Sequence, residues 1–262
     1  MSEEEEQARY CANSLDELLA QAPVPPEMDI PKLRTLVSAG QTGSLTEVQF
    51  RTLSGCTAGW GIGSMSSYYY RSYYCKAVSW SVYTTEFIDS MQRLTAGRRV
   101  LEVCAGRGTL SRVLRGRGED WTATDLYPVT DDVEALDALE AVRTYKPEVI
   151  VVSWVPYGSN LDEQLADLAK ELGIPMVIIG EGNGGCTGSG TFWNRGSEVW
   201  YDDDYEEVEN GALDWNIHSL GSLFDWFTDV PRWNGINDYT SIVLPVGVVF
   251  VCEGKGVFGP VV

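Results

Sequence analysis

Residues 101–111 read LEVCAGRGTLS. An apolar, strand-like run (Val100, Leu101, Val103) leads into a turn with an acid before it and glycines at Gly106 and Gly108. A helix-compatible segment follows. Glycines at such a turn let main chain approach a nucleotide-like ligand without a Cβ clash.

Reading outward, strand and helix patterns alternate. RRVLEVC (98–104) has the makings of a buried strand and TLSRVLRG (109–116) of a helix. DWTATDL (120–126) follows as a second strand. DDVEALDALEAVRTY (131–145) follows as a second helix, with Val133, Leu136, Leu139 and Val142 at helical spacing. Pro147 precedes EVIVVSW, a third strand rich in β-branched residues. Asn160 is placed to cap the next helix, and Glu163 completes a capping box. Leu161, Leu165, Leu168 and Leu172 give that helix one apolar stripe, and Gly173 and Pro175 end it. IPMVIIG is the fourth strand. Short loops between alternating elements predict right-handed crossovers and an α/β fold: a doubly wound, mostly parallel sheet with helices on both faces.

The flanks are less regular. Residues 1 to about 8 carry consecutive glutamates that repel one another and should fray. Residues 9–22 suit a helix stopped by Pro23, Pro25 and Pro26, and 80–94 a helix leading to Gly97. The expected division is an N-terminal helical, aromatic extension or lid over 1–95 and a ligand-binding domain over 96–262. A Gly/Trp-rich acidic insertion occupies about 182–240. SIVLPVGVVFV (241–251) reads as a C-terminal antiparallel edge hairpin turning at Pro245 or Gly247.

Composition narrows the function. The chain has 38 acidic and 19 basic side chains and a formal net charge of −19. Such a surface repels a phosphate backbone and argues against nucleic acid as a partner. The six cysteines are scattered without a CxxC pair, and there is a single histidine, His218, so a Cys/His zinc cluster is not expected. The bland account is reduced thiols in a cytosolic protein. No apolar run approaches the roughly 18 residues of a membrane span, and the start MSEEEE is unlike a basic signal sequence. A cytoplasmic protein without membrane contact is the expectation.

In an open parallel sheet, ligands bind beyond the carboxyl ends of the strands. Four features should meet there: the turn at Gly106 and Gly108; Asp125, placed to accept two ribose hydroxyls; Asp137, a candidate acceptor for an adenine amine; and SWVPYG (153–158), with Ser153 and Tyr157. Each also has an ordinary reading. A glycine pair is often just a tight turn, Asp125 can cap the next element, Asp137 falls mid-helix, and Tyr157 and Ser153 can be packing and strand-end groups.

A dinucleotide fingerprint asks for a third small residue where this chain has Ser111, and a pyrophosphate would not welcome Glu102 before the turn. Here the sequence resembles the class I, Rossmann-like S-adenosylmethionine-dependent methyltransferases. Their first motif matches Glu102-Val-Cys104-Ala105-Gly106-Arg-Gly108, their second acid matches Asp125 with Leu126 beside it, their later acid or amide near adenine resembles Asp137, and SWVPYG resembles their fourth motif. The resemblance covers about 97–181 and, more loosely, the C-terminal hairpin. It departs at Cys104, where glycine is usual, and at Trp154 and Val155, which separate Ser153 from Pro156-Tyr157. It implies S-adenosylmethionine as the methyl donor, bound by Glu102, Cys104, Ala105, Gly106, Gly108, Asp125, Leu126, Asp137 and Ser153. No metal is implied.

Methyl transfer mainly needs alignment and exclusion of water, with a base only where the acceptor must lose a proton. Ser153, Tyr157 and His218 are the candidate catalytic side chains, with Glu181 a further candidate base. Acceptor-binding walls are expected from the tyrosines Tyr68, Tyr69, Tyr70, Tyr73 and Tyr74, unless they pack on the sheet's flank, and from the Gly-rich loop 180–193, mobile enough to gate entry. The tract 201–209 reads as a solvated acidic face. The expected acceptor is a small molecule or protein side chain. Alternatives are a donor-binding regulatory or scaffold module without catalysis, and an amino-group methyltransferase on nucleic acid.

Overall fold

The computed structural model describes residues 14–21, 24–26, 28–56, 65–182, 185–199, 214–233, 238–252 and 255–258. The glutamate-rich start and the acidic tract 201–209 lie outside these residues.

The alternating half of the chain forms the expected α/β sheet. Its first strands are β1 (Val100–Val103), β2 (Trp121–Asp125), β3 (Glu134–Ala135), β4 (Val149–Ser153) and β5 (Met176–Glu181). Beyond β5 lie β6 (Gly196–Val199), β7 (Trp215–Ser219) and β8 (Asp238–Pro245). The order across the sheet is β3-β2-β1-β4-β5-β8-β7-β6, and β8 alone runs against the rest. The chain winds outward from β1 to β2 and β3 on one side, then from β4 to β5 on the other. The switch point therefore lies between the carboxyl ends of β1 and β4.

Alternation along each central strand explains why helices cover both faces. Val100, Val149, Val151, Val177, Ile179, Ile242 and Leu244 enter one apolar cluster, beneath α5 (Thr85–Thr95) and α6 (Thr109–Gly116). Leu101, Val103, Ile150, Val152, Ile178 and Val243 enter another, beneath α7 (Ala138–Tyr145), α8 (Leu161–Leu172) and α9 (Gly190–Arg195).

A third cluster belongs to the N-terminal extension, built from α1 (Leu15–Gln21), α2 (Ile30–Thr42), α3 (Glu47–Ser54) and α4 (Met65–Ala77). Trp233, from the C-terminal half, enters this cluster and packs edge-on to Phe50 and Tyr74, at 4.9 and 5.7 Å between ring centroids. The tyrosine run lies on α4. Tyr70 and Tyr74 are buried in the cluster and Tyr69 and Tyr73 pack against it, whereas Tyr68 is exposed.

Several boundaries differ from expectation. The helix placed at 131–145 begins only at Ala138, because Asp137 is its N-cap, accepting from the amides of Leu139 and Glu140. Glu134 and Ala135 instead pair with β2. The helix placed at 80–94 starts at Thr85 behind the capping side chain of Thr84. The capping box at Asn160 does not form: Asn160 accepts from the Gln164 amide, and Glu163 accepts from the Ser189 hydroxyl. The C-terminal antiparallel pair is β9 (Val249–Cys252) with β10 (Lys255–Phe258), while the segment from Ser241 lies inside the main sheet as part of β8. The insertion contributes α9, β6, β7, the short helix α10 (Leu220–Leu223) and the first residues of β8. No helix among the described residues is long and apolar enough to cross a membrane.

Candidate functional site

A cleft of about 800 Å³ opens at the carboxyl ends of β1, β2 and β4, where the strand order reverses. Of the sequence-predicted residues it is lined by Cys104, Ala105, Gly106, Asp125, Leu126, Asp137, Ser153 and Tyr157. Glu102, Gly108 and His218 are not among its lining.

The turn after β1 sets the geometry. Cys104, Gly106 and Gly108 all have positive φ, at 54°, 54° and 59°. Cys104 thus adopts the left-handed conformation that favours glycine, at the position where the resemblance expects one. Burial, with the carboxylates of Asp125, Asp137 and Glu102 adding to it, pushes its thiol up to about 12, so it faces the cleft as a neutral group. At Gly106 an added Cβ would meet nothing within 4 Å; main chain borders open space there. The Gly106 amide donates to Asp125 Oδ2 and the Tyr127 amide to Oδ1, each at 2.8 Å. Asp125 therefore closes the turn, while each of its oxygens keeps lone-pair capacity for a ligand hydroxyl.

Gly108 and Glu102 act one layer back. A Cβ on Gly108 would stand 2.5 Å from Val133 Cγ2, so this glycine permits packing of the α6 start against the turn before β3. Gly108 is also the N-cap of α6 and has no side chain to cap with. Glu102 supplies the missing acceptor: its Oε2 receives the Ser111 amide at 3.1 Å and the Ser111 hydroxyl. Burial raises the Glu102 carboxyl to about 7, against the lowering effect of the Ser111 bonds and of Arg115. The acid of the first motif anchors a helix start; it does not face the cleft.

His218 is placed away from the site. It lies on β7, two strands beyond β5, paired with Val199 of β6 and Ile242 of β8. Burial lowers its imidazole to about 4, leaving it neutral near pH 7. Glu181 ends β5, is buried and accepts from the Cys186 amide at 2.6 Å, and does not line the cleft.

One wall was not legible in the sequence: the strap from Lys76, in the last turn of α4, through the connection to Tyr83 just before α5. Val78 O accepts from Thr109 Oγ1 and Lys76 O from Arg107 Nε, both at 2.9 Å, pinning the strap to the β1 turn. At the β4 tip, Ser81 accepts from Trp154 Nε1, and Tyr83 shares a bond with Ser153, both at 2.8 Å. Trp80 stacks on Trp154 at 5.3 Å between ring centroids. Trp154 has φ of 54°, a genuine outlier for a bulky residue, held by these contacts. None of the five tyrosines of α4 lines the cleft. Of the Gly-rich loop, Cys186 does, and Gly188 is tied to SWVPYG by backbone bonds to Val155 and Gly158, each 3.1 Å. That clamp argues against free gating by this part of the loop; residues 183–184 lie outside the described set.

Compared with known proteins, the chain matches no family model, and no curated protein matches it significantly.

Proposed function

We propose that the protein is an S-adenosylmethionine-dependent methyltransferase of the class I, Rossmann-like type, acting in the cytoplasm on a small molecule or protein side chain. The observation that carries this reading is the meeting of the Cys104–Gly106 turn, Asp125 and Asp137 in one cleft at the switch point. The Gly106 amide is turned to Asp125, whereas a dinucleotide site would hold out its turn amides to a pyrophosphate. The antiparallel β8 beside β5 also departs from the 3-2-1-4-5-6 dinucleotide order.

The residues present fit such a donor. Gly106 offers main chain beside open space, Asp125 suits ribose hydroxyls, and Leu126, Leu136, Val155 and Leu161 give apolar walls for a base. Asp137 adds an acceptor at the same side. When bound, S-adenosylmethionine supplies an activated methyl on a sulfonium leaving group. The chain's own part is to orient and to keep water out. Trp80, Trp154 and the Tyr83–Ser153 pair form a fixed surface against which an acceptor is positioned. Tyr157, on the exposed rim, is the remaining candidate to receive a proton.

Isothermal titration with S-adenosylmethionine tests the donor. Asp125→Ala should weaken binding about tenfold or more, with Asp125→Asn between it and the parent. Absence of binding heat at high micromolar donor overturns the reading.

A second reading is favoured by the placement of His218 and Glu181: a donor-binding module without catalysis. Labelled donor incubated with small-molecule, protein and RNA fractions separates the two. Label that never leaves the donor supports the module.

A further inference from the structure

The strap wall differs in character from the wall facing it. On the β2 and β3 side the cleft presents the carboxylates of Asp125 and Asp137. The strap presents Lys76 and Trp80, the latter 40% exposed in spite of its size. Beside both stacked indoles lies Arg71, its Cζ 5.5 Å from the Trp80 ring centroid and 5.6 Å from that of Trp154. Arg71 Nε is buried without a hydrogen-bond partner, and neither Arg71 nor Lys76 makes an ion pair among the described residues.

Two cations without a carboxylate partner among the described residues are unexpected in a chain with twice as many acids as bases. The stacked pair already has one cation against it. A second cation docked on Trp80 would be repelled by Arg71 and Lys76, whereas an anion gains from both. The overall charge of −19 would draw in cations from solution, so the local excess of positive charge is a property of the strap wall, opposite the carboxylates of Asp125 and Asp137.

We propose that the strap wall binds a small planar aromatic anion, such as an aromatic carboxylate or phenolate, stacked on Trp80 with its charge toward Lys76. This rests on the methyltransferase reading in naming that molecule as the acceptor; the binding itself does not depend on it. A flat ring meets a preformed platform, because Trp154 is locked by Ser81 and Trp80 by stacking, so little ordering entropy is lost on docking. Lys76 supplies a compact charge on a flexible stem.

The test is calorimetric titration of the full chain with three isosteric probes: 2-naphthoate, 2-naphthamide and 2-(aminomethyl)naphthalene, each with and without S-adenosylmethionine. The expected result is that 2-naphthoate binds about tenfold or more tighter than either analogue. Lys76→Gln should erase that preference, and Trp80→Ala should weaken all binding; both positions are solvent-accessible, and circular dichroism verifies the fold. Equal or tighter binding of the amine or the amide, no binding of any probe, or a preference unmoved by Lys76→Gln overturns the proposal. If S-adenosylmethionine gives no heat while 2-naphthoate binds with the expected selectivity, the donor reading fails and the anion site stands.

Discussion

Glu102 shows how one carboxyl can serve structure at a site that reads as functional. It caps α6 from the neighbouring strand because Gly108 cannot cap from its own position. Its folded value near 7 lies above the ordinary 4.5. Below about 4.5 both folded and unfolded chains carry the proton; between 4.5 and 7 only the folded chain keeps it; above 7 the folded chain bears the full cost of a buried charge. Stability contributed by this group therefore falls as pH rises through that window. Glu102→Gln should gain on the parent across it, by about 3 kcal/mol, in urea denaturation at pH 4.5 and pH 8. A constant difference between the two proteins would remove Glu102 from this role. Cys104 is the neighbouring case: its place in the motif was visible in the sequence, but its positive φ and neutral thiol follow from the folded turn.

Between β1 and α6, two glycines that look equivalent in the sequence separate by neighbour. Gly106 borders the cleft and Gly108 borders Val133. Both have positive φ, so alanine at either costs about 1 kcal/mol in backbone strain. Gly106→Ala should stop near that cost in thermal denaturation while weakening donor affinity, since its methyl enters the cleft. Gly108→Ala should cost more than about 2 kcal/mol, since its methyl collides with Val133. The reverse ranking would move the ligand to the other glycine. Some helices had signals that went unread. The box Thr46–Gln49 starts α3, and Asp29 before Pro31, with Gly43 at the far end, brackets α2. The strap 76–83 had no such signal, because it has no periodicity and its bonds to the other walls of the cleft are to residues distant in sequence.

At the scale of the whole molecule, the formal charge of −19 works against compaction. Local networks offset part of it: Arg195 reaches Asp167 and Asp214, with Lys170 on Asp214, joining α8, the end of α9 and the start of β7. Raising salt from about 20 to about 300 mM, which shortens the screening length below about 10 Å, should raise the melting midpoint by a few degrees. A midpoint that falls with salt would show that these pairs outweigh the general repulsion.

The sequence alone determined the sheet's central strands, the glycine turn and Asp125, because these follow from local periodicity and from turn chemistry. The tertiary structure decided the rest. It withdrew Glu102, Gly108 and His218 from the cleft, made Asp137 a cap at its edge, and brought in Lys76, Tyr83 and Trp80 across 31, 70 and 74 residues to Arg107, Ser153 and Trp154. The physical reason is that a strand's hydrophobic pattern is written within the strand. Which side chains face a ligand depends on which distant segments pack above it, and packing partners leave no periodic trace.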